Sequence, residues 1–317
     1  MYRLTNLARV AAVAAVMAVT ACSETRDVLG PNPPAGGAMF KSYVAIGNSI
    51  TAGWQSDGIN DDTQRQSYAR LLAGQMGTQY HYASLNLPGC QPPVVNFVTQ
   101  ARVGGAPAGV CALRATTSVT DVLNNVAVPD ARVLDPTSPS TVASNALTTF
   151  ILGGKTQVQR ALDARPTFAS IWIGNNDVLV AGYTGYLTPT VVVGATSPGI
   201  VSSQAVFQTN YDKMITQLRD SMPGLQGVLI GVAQIPSIPL MTLGSLIYQN
   251  RLALAPIVVN PNCNGSTALV TLPKLIPLIR AGLHPGQISC VKGADLADAR
   301  VGDEFVLDAQ ERVTLTA

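Results

Sequence analysis

Three short apolar runs, each broken by a glycine-bearing polar turn, constrain this chain most. Tyr43-Val44-Ala45-Ile46 runs into Gly47-Asn48-Ser49, Tyr80–Leu85 into Asn86-Leu87-Pro88-Gly89, and Phe168–Ile173 into Gly174-Asn175-Asn176-Asp177. Runs this short, bounded by such turns, read as strands. Helical periodicity lies between them. Tyr68, Leu71, Leu72 and Met76 recur over 67–76, and Val158, Ala161 and Leu162 over 156–164 before Pro166 stops the helix. A third helix is predicted over 203–222, with Phe207, Tyr211, Met214, Ile215 and Leu218 on its buried stripe, and Gly227–Val232 returns as a strand. Strands alternating with helices pair in parallel through right-handed crossovers. The expected fold is α/β: a three-layer α/β/α sandwich around a central parallel sheet, with long loop insertions.

Two stretches fall outside this rhythm. Gln91–Ser144 is rich in Pro, Gly, Ala and Thr and reads as an insertion over the sheet's edge, with a short helix near Val119–Asn124. Residues 234–306 are loop-rich and apolar, interrupted by Pro236, Pro239, Pro256, Pro261, Pro273, Pro277 and Pro285, and are placed as a cap or a substrate groove. Charge narrows the function classes. Only 12% of the 317 residues are charged and the net charge is +2, so no basic face for nucleic acid is expected. No Cys/His cluster has zinc-site spacing, so neither metal nor cofactor is expected.

The first 22 residues read as an export signal: Arg3 and Arg9, an apolar run from Val10 to Ala21, then Val19-Thr20-Ala21-Cys22. That last quartet resembles a bacterial lipobox. The resemblance implies that Cys22 is lipidated and anchors the chain in a membrane, and Ser23 after it favours the outer membrane. An ordinary signal cut near Ala21, or an uncleaved anchor, is the alternative. Residues 23–38 are a polar, Pro/Gly-rich tether, and 39–317 form the folded domain, expected to be a monomer. Export places Cys90, Cys111, Cys263 and Cys290 in an oxidising compartment, and the even count favours two disulfides. Three pairings are possible; Cys90–Cys111 with Cys263–Cys290 closes the shortest loops.

In open parallel sheets, ligands bind outside the carboxyl ends of the strands. The three turns there would supply a hydroxyl, a backbone N–H and a side-chain amide. Acyl transfer needs a nucleophile and fixed donors aimed at the oxygen that becomes negative. Taken alone, Asn48-Ser49 is equally a helix cap and Gly89 a turn residue. Together the turns go further. Ala45-Ile46-Gly47-Asn48-Ser49-Ile50-Thr51-Ala52-Gly53 resembles block I of the SGNH/GDSL ester hydrolases, with Asn48 where many members carry Asp. Gly89 falls where the block II glycine is expected, and Gly174-x-Asn176-Asp177 resembles block III. The resemblance implies a flavodoxin-like SGNH fold with Ser49 as nucleophile. The Ser49 N–H, the Gly89 N–H and the Asn176 amide would hold the oxyanion. Asp177 would fix the block III loop and Asn48 the strand-to-helix turn.

The family's block V, Asp-x-x-His-Pro, supplies the base and its orienting carboxylate. Ala281-Gly282-Leu283-His284-Pro285 mimics it with Ala281 in place of the aspartate, and ahead of the final helix–strand unit; His81 reads as structural. The block is therefore expected downstream of Ala317, after a helix opened by the capping box at Asp308–Glu311. A chain ending there would be nearly inactive. The expected substrates are acyl or acetyl esters: a lipid, an acylated sugar or another small ester. A thioesterase, a lysophospholipase or an inactive binding lipoprotein on the same fold are the alternatives.

Overall fold

The computed structural model describes residues 37–97, 99–113, 122–138, 146–179, 189–190, 201–238, 241–282, 286–291 and 306–307. The export signal, the tether up to Gly36, His284 and the capping box at Asp308–Glu311 lie outside these residues, while Gly37 and Ala38, placed in the tether, open a short 3₁₀ helix (Gly37–Phe40).

At the centre lies a parallel sheet of β1 (Tyr43–Gly47), β2 (Phe168–Trp172) and β3 (Gln226–Leu229), in that order. β1 and β2 pair in register from Tyr43 opposite Phe168 to Gly47 opposite Trp172. Every residue of β1 is buried, as a strand covered on both faces must be. Its side chains alternate between two cores. Tyr43 and Ala45 pack on Ala69, Ala73 and Met76 of one helix, α2 (Tyr68–Met76). Val44 and Ile46 face Val158 and Ala161 of α3 (Gln157–Asp163) and Met214 and Leu218 of α4 (Gln204–Ser221). With α2 on one face and α3 and α4 on the other, the α/β/α sandwich expected from the alternation is present.

The helices begin where their capping residues sit. Ser67 Oγ accepts from the Arg70 amide, Ser203 Oγ from the Val206 amide, and Thr156 forms a reciprocal capping box with Gln159. Each such cap contributes about 1 kcal/mol by satisfying an amide that has no partner within the helix. The buried stripe of α4 is Val206, Asn210, Met214 and Leu218: Met214 and Leu218 are buried as expected, while Val206 and Asn210 take the places expected for Phe207 and Tyr211, and Tyr211 and Ile215 are only partly covered.

The run Tyr80–Leu85 is not a strand. A side chain takes the place of its ladder: Gln64 accepts from the Leu85 amide at 2.9 Å and donates to the Ala83 carbonyl at 2.9 Å. The outer edge of β1 is occupied by Asn124–Val128 instead. Ala45 N donates to Asn124 O at 2.7 Å, Val126 N to Ala45 O at 3.0 Å, and Val128 N to Gly47 O at 3.2 Å. Residues 122–124 are irregular rather than helical, and the rest of the short helix anticipated at Val119–Asn124 lies outside the described residues.

Both disulfides join the cysteines that close the shortest loops, Cys90–Cys111 and Cys263–Cys290. The second staples a small apolar unit in which Ile247, Val259, Val270, Leu275, Ile276 and Ile288 share one core. Ile235, Met241 and Leu269 fasten this region to Val178 and Leu179, just after Asp177.

Candidate active site

The chain leaves β1 at Gly47 and enters a four-residue helix, α1 (Ser49–Ala52). Asn48 is 1% exposed, and its side-chain oxygen caps α1 by accepting from the Ile50 amide at 3.2 Å. A buried amide is thus committed to the strand-to-helix turn, which lifts the half-buried Ser49 off the sheet's carboxyl edge.

Ser49 Oγ accepts a hydrogen bond from the backbone amide of Asp130 at 3.1 Å. The next residue, Ala131, offers its carbonyl to Asn176 Nδ2 at 2.9 Å. Ser49 and the Asn176 side-chain amide are therefore fastened to one two-residue stretch. Val133, two residues on, donates its amide to Asp177 Oδ2 at 2.8 Å. On the other side, Asn175 Oδ1 accepts from the Ala233 amide at 2.9 Å. Three consecutive side chains of the turn after β2 thus hold two backbone segments, Asn176 and Asp177 the 131–133 stretch and Asn175 the chain at Ala233, and together they set the floor of the site.

Asp130 is exposed and has a left-handed φ of 66°, a conformation an Asp tolerates better than most residues but glycine prefers. That twist turns its amide toward Ser49. Asn176 Nδ2 carries two hydrogens; with one on Ala131, the other remains for a ligand. Asp177 is 1% exposed. Burial pushes its carboxyl up to about 6, against the opposing pull of the Ser202 hydroxyl, the Val133 amide and the Arg132 charge. Around neutral pH it is an acceptor that locks the 130–133 loop.

Gly89 lies in a tightly packed loop. It is buried with φ 129°, and a Cβ there would lie 2.4 Å from the Ile59 carbonyl. Its loop pairs with Ile59: Cys90 N donates to Ile59 O and Ile59 N to Gln91 O, both at 2.9 Å. Glycine is needed there for close backbone packing. A further amide at Ser49 belongs to Asp130, in a segment that reads as insertion. The signal available for it was Val128-Pro129-Asp130-Ala131, a proline turn directly after an apolar run. His81 is exposed and sits in an irregular segment, where its backbone N–H and C=O both bond to Asn124.

A family model described as GDSL-like lipase/acylhydrolase matches residues 43–268. The chain belongs to this family. The match takes in Ser49, Asp130 and Asn176. No curated protein and no solved structure matches the chain. For a GDSL-like lipase/acylhydrolase, the family implies ester hydrolysis in general. Ser49 and Asn176, each bonded to the Asp130–Ala131 stretch, lie within the matched region.

Proposed function

We propose that this protein hydrolyses acyl or acetyl esters through Ser49. The observation that carries the reading is the Asp130 amide on Ser49 Oγ, with Asn176 held on the adjoining carbonyl. In this mechanism Ser49 Oγ attacks the ester carbonyl carbon and its proton passes to a histidine base, the one the family carries in its Asp-x-x-His block. The carbonyl oxygen becomes negative and is held by the N–H of Ser49, the N–H of Asp130 and the second hydrogen of Asn176 Nδ2. Collapse expels the alcohol, which takes the proton from the base. Water then repeats the attack on the acyl-serine and releases the acid. Donors oriented beforehand cost no reorganisation when charge develops, and one such donor contributes about 3–4 kcal/mol to lowering the barrier.

In this proposal the protein works outside the cytoplasm, lipid-anchored through Cys22 at the outer membrane. Its substrates are ester lipids, acylated sugars or other small acyl esters. The unit from Met241 onward packs on Val178 and Leu179, just after Asp177, and is positioned to shape the substrate side. A short p-nitrophenyl ester assayed with the full-length gene product and with its Ser49→Ala variant tests the reading. Turnover should fall at least a thousandfold, on the order seen when a serine nucleophile is removed. Equal rates would leave a binding lipoprotein on a hydrolase fold.

A further inference from the structure

A four-residue helix has too few internal hydrogen bonds to hold its own geometry, yet α1 must present Ser49 in a single orientation. What fixes it lies beneath. Thr51, two residues after Ser49, is 0% exposed, and its Oγ1 is 3.1 Å from the Tyr68 hydroxyl. Tyr68 in turn is 3.5 Å from Ser170 Oγ, and Ser170 is 2.6 Å from the Tyr43 hydroxyl. The chain of hydroxyls thus runs from the nucleophile helix, through α2 and β2, into β1. Thr51 is held at its backbone as well, its carbonyl accepting from Asn125 Nδ2 at 2.8 Å. Gly47 leaves room for this arrangement: a Cβ there would lie 2.2 Å from Thr51 Oγ1 and 2.7 Å from the Trp172 carbonyl. The Trp172 ring meets Tyr68 edge-on at 5.4 Å, which fixes the ring that carries the hydroxyl.

We infer that Thr51, Tyr68 and Ser170 are positioning residues for Ser49. Their hydroxyls hold α1 against the sheet, and through it the direction of Ser49 Oγ toward the Asp130 amide. The inference rests on Ser49 being the nucleophile. Its physical content is that the hydroxyls matter, not the bulk of the side chains, because packing alone would leave α1 free to shift by a fraction of an ångström. Misplacement of a reacting atom by about 1 Å costs up to a hundredfold in rate, so the smaller shift here should cost about tenfold.

The test measures kcat and KM of the full-length protein and its Thr51→Val, Thr51→Ser, Tyr68→Phe and Thr51→Val/Tyr68→Phe variants on a short p-nitrophenyl ester. Thr51→Val and Tyr68→Phe should each lower kcat about tenfold with KM within about twofold. Thr51→Ser, which keeps the hydroxyl but loses the methyl, should stay near the wild type. The double variant should be no worse than the weaker single one, since both remove the same link. Wild-type kcat in Thr51→Val, equal losses in Thr51→Ser and Thr51→Val, or fully multiplying losses would each overturn the inference. Should Tyr68→Phe fail to fold, the Thr51→Val and Thr51→Ser pair decides the matter. A Ser49→Ala control keeps the two readings apart. An inactive Ser49→Ala beside a normal Thr51→Val removes only the positioning role, whereas an active Ser49→Ala removes the esterase reading itself.

Discussion

Asp130 donates its amide to Ser49 Oγ at 3.1 Å while its own backbone sits at φ 66°. A residue with a side chain has been placed in a conformation that glycine adopts without cost, beside the amide that donates to the Ser49 hydroxyl. Asp130→Gly should keep both fold and turnover, because the amide and the φ it needs survive. Asp130→Val should lose about 1–2 kcal/mol of stability relative to Asp130→Gly, since a β-branched side chain is strained in the left-handed region, and its turnover should fall. Urea denaturation and ester kinetics on both variants check this; a Val variant as stable and active as the Gly variant refutes the assigned backbone role.

Asn176 has one amide hydrogen on the Ala131 carbonyl and, in the proposed mechanism, the other on the oxyanion. Asn176→Ala should lower kcat by about 10²–10³, the usual loss for a single side-chain donor, with a smaller change in KM. A variant that changes KM alone would mean that Asn176 binds the ground state only.

For Gly89, stability rather than chemistry should respond. Gly89→Ala introduces a Cβ at 2.4 Å from the Ile59 carbonyl at φ 129°, so it should cost about 2 kcal/mol or more of stability. Turnover per folded molecule, measured well below the melting temperature, should stay within about twofold. A variant as stable as the wild type would contradict the close packing assigned to Gly89.

Asp177 ties stability to pH. Burial raises its carboxyl to about 6 in the folded chain, against about 3.9 in an unfolded one. Between these values the folded state holds the extra proton, so stability falls as pH rises through this window and levels off above it. This group alone should remove about 1–2 kcal/mol between pH 5 and 8. Denaturation midpoints of the wild type and Asp177→Asn across that range test it. The variant should lack this part of the decline, and parallel profiles would contradict the assignment.

Much of this architecture could be read before any coordinates. The strands at Tyr43 and Phe168, the helices opened by Ser67, Thr156 and Ser203, and the turns bearing Ser49 and Asn176 all follow from local rules. Apolar periodicity, capping chemistry and glycine-bearing turns act over a few residues, so they are written in the sequence itself. The disulfide partners also fell to a local criterion, loop length.

What only the tertiary structure decided is who stands beside whom. Asp130 reaches Ser49 across 81 residues, and nothing in an aspartate marks it as left-handed. Gln64 replaces a strand's ladder from 21 residues away, and so Tyr80–Leu85 looks like a strand without being one. Gly89 and Asp130 both follow prolines in polar turns; which of them meets the nucleophile depends on which segment pairs with β1. That choice is made by backbone hydrogen bonds along the sheet edge, and such bonds are nearly blind to residue type.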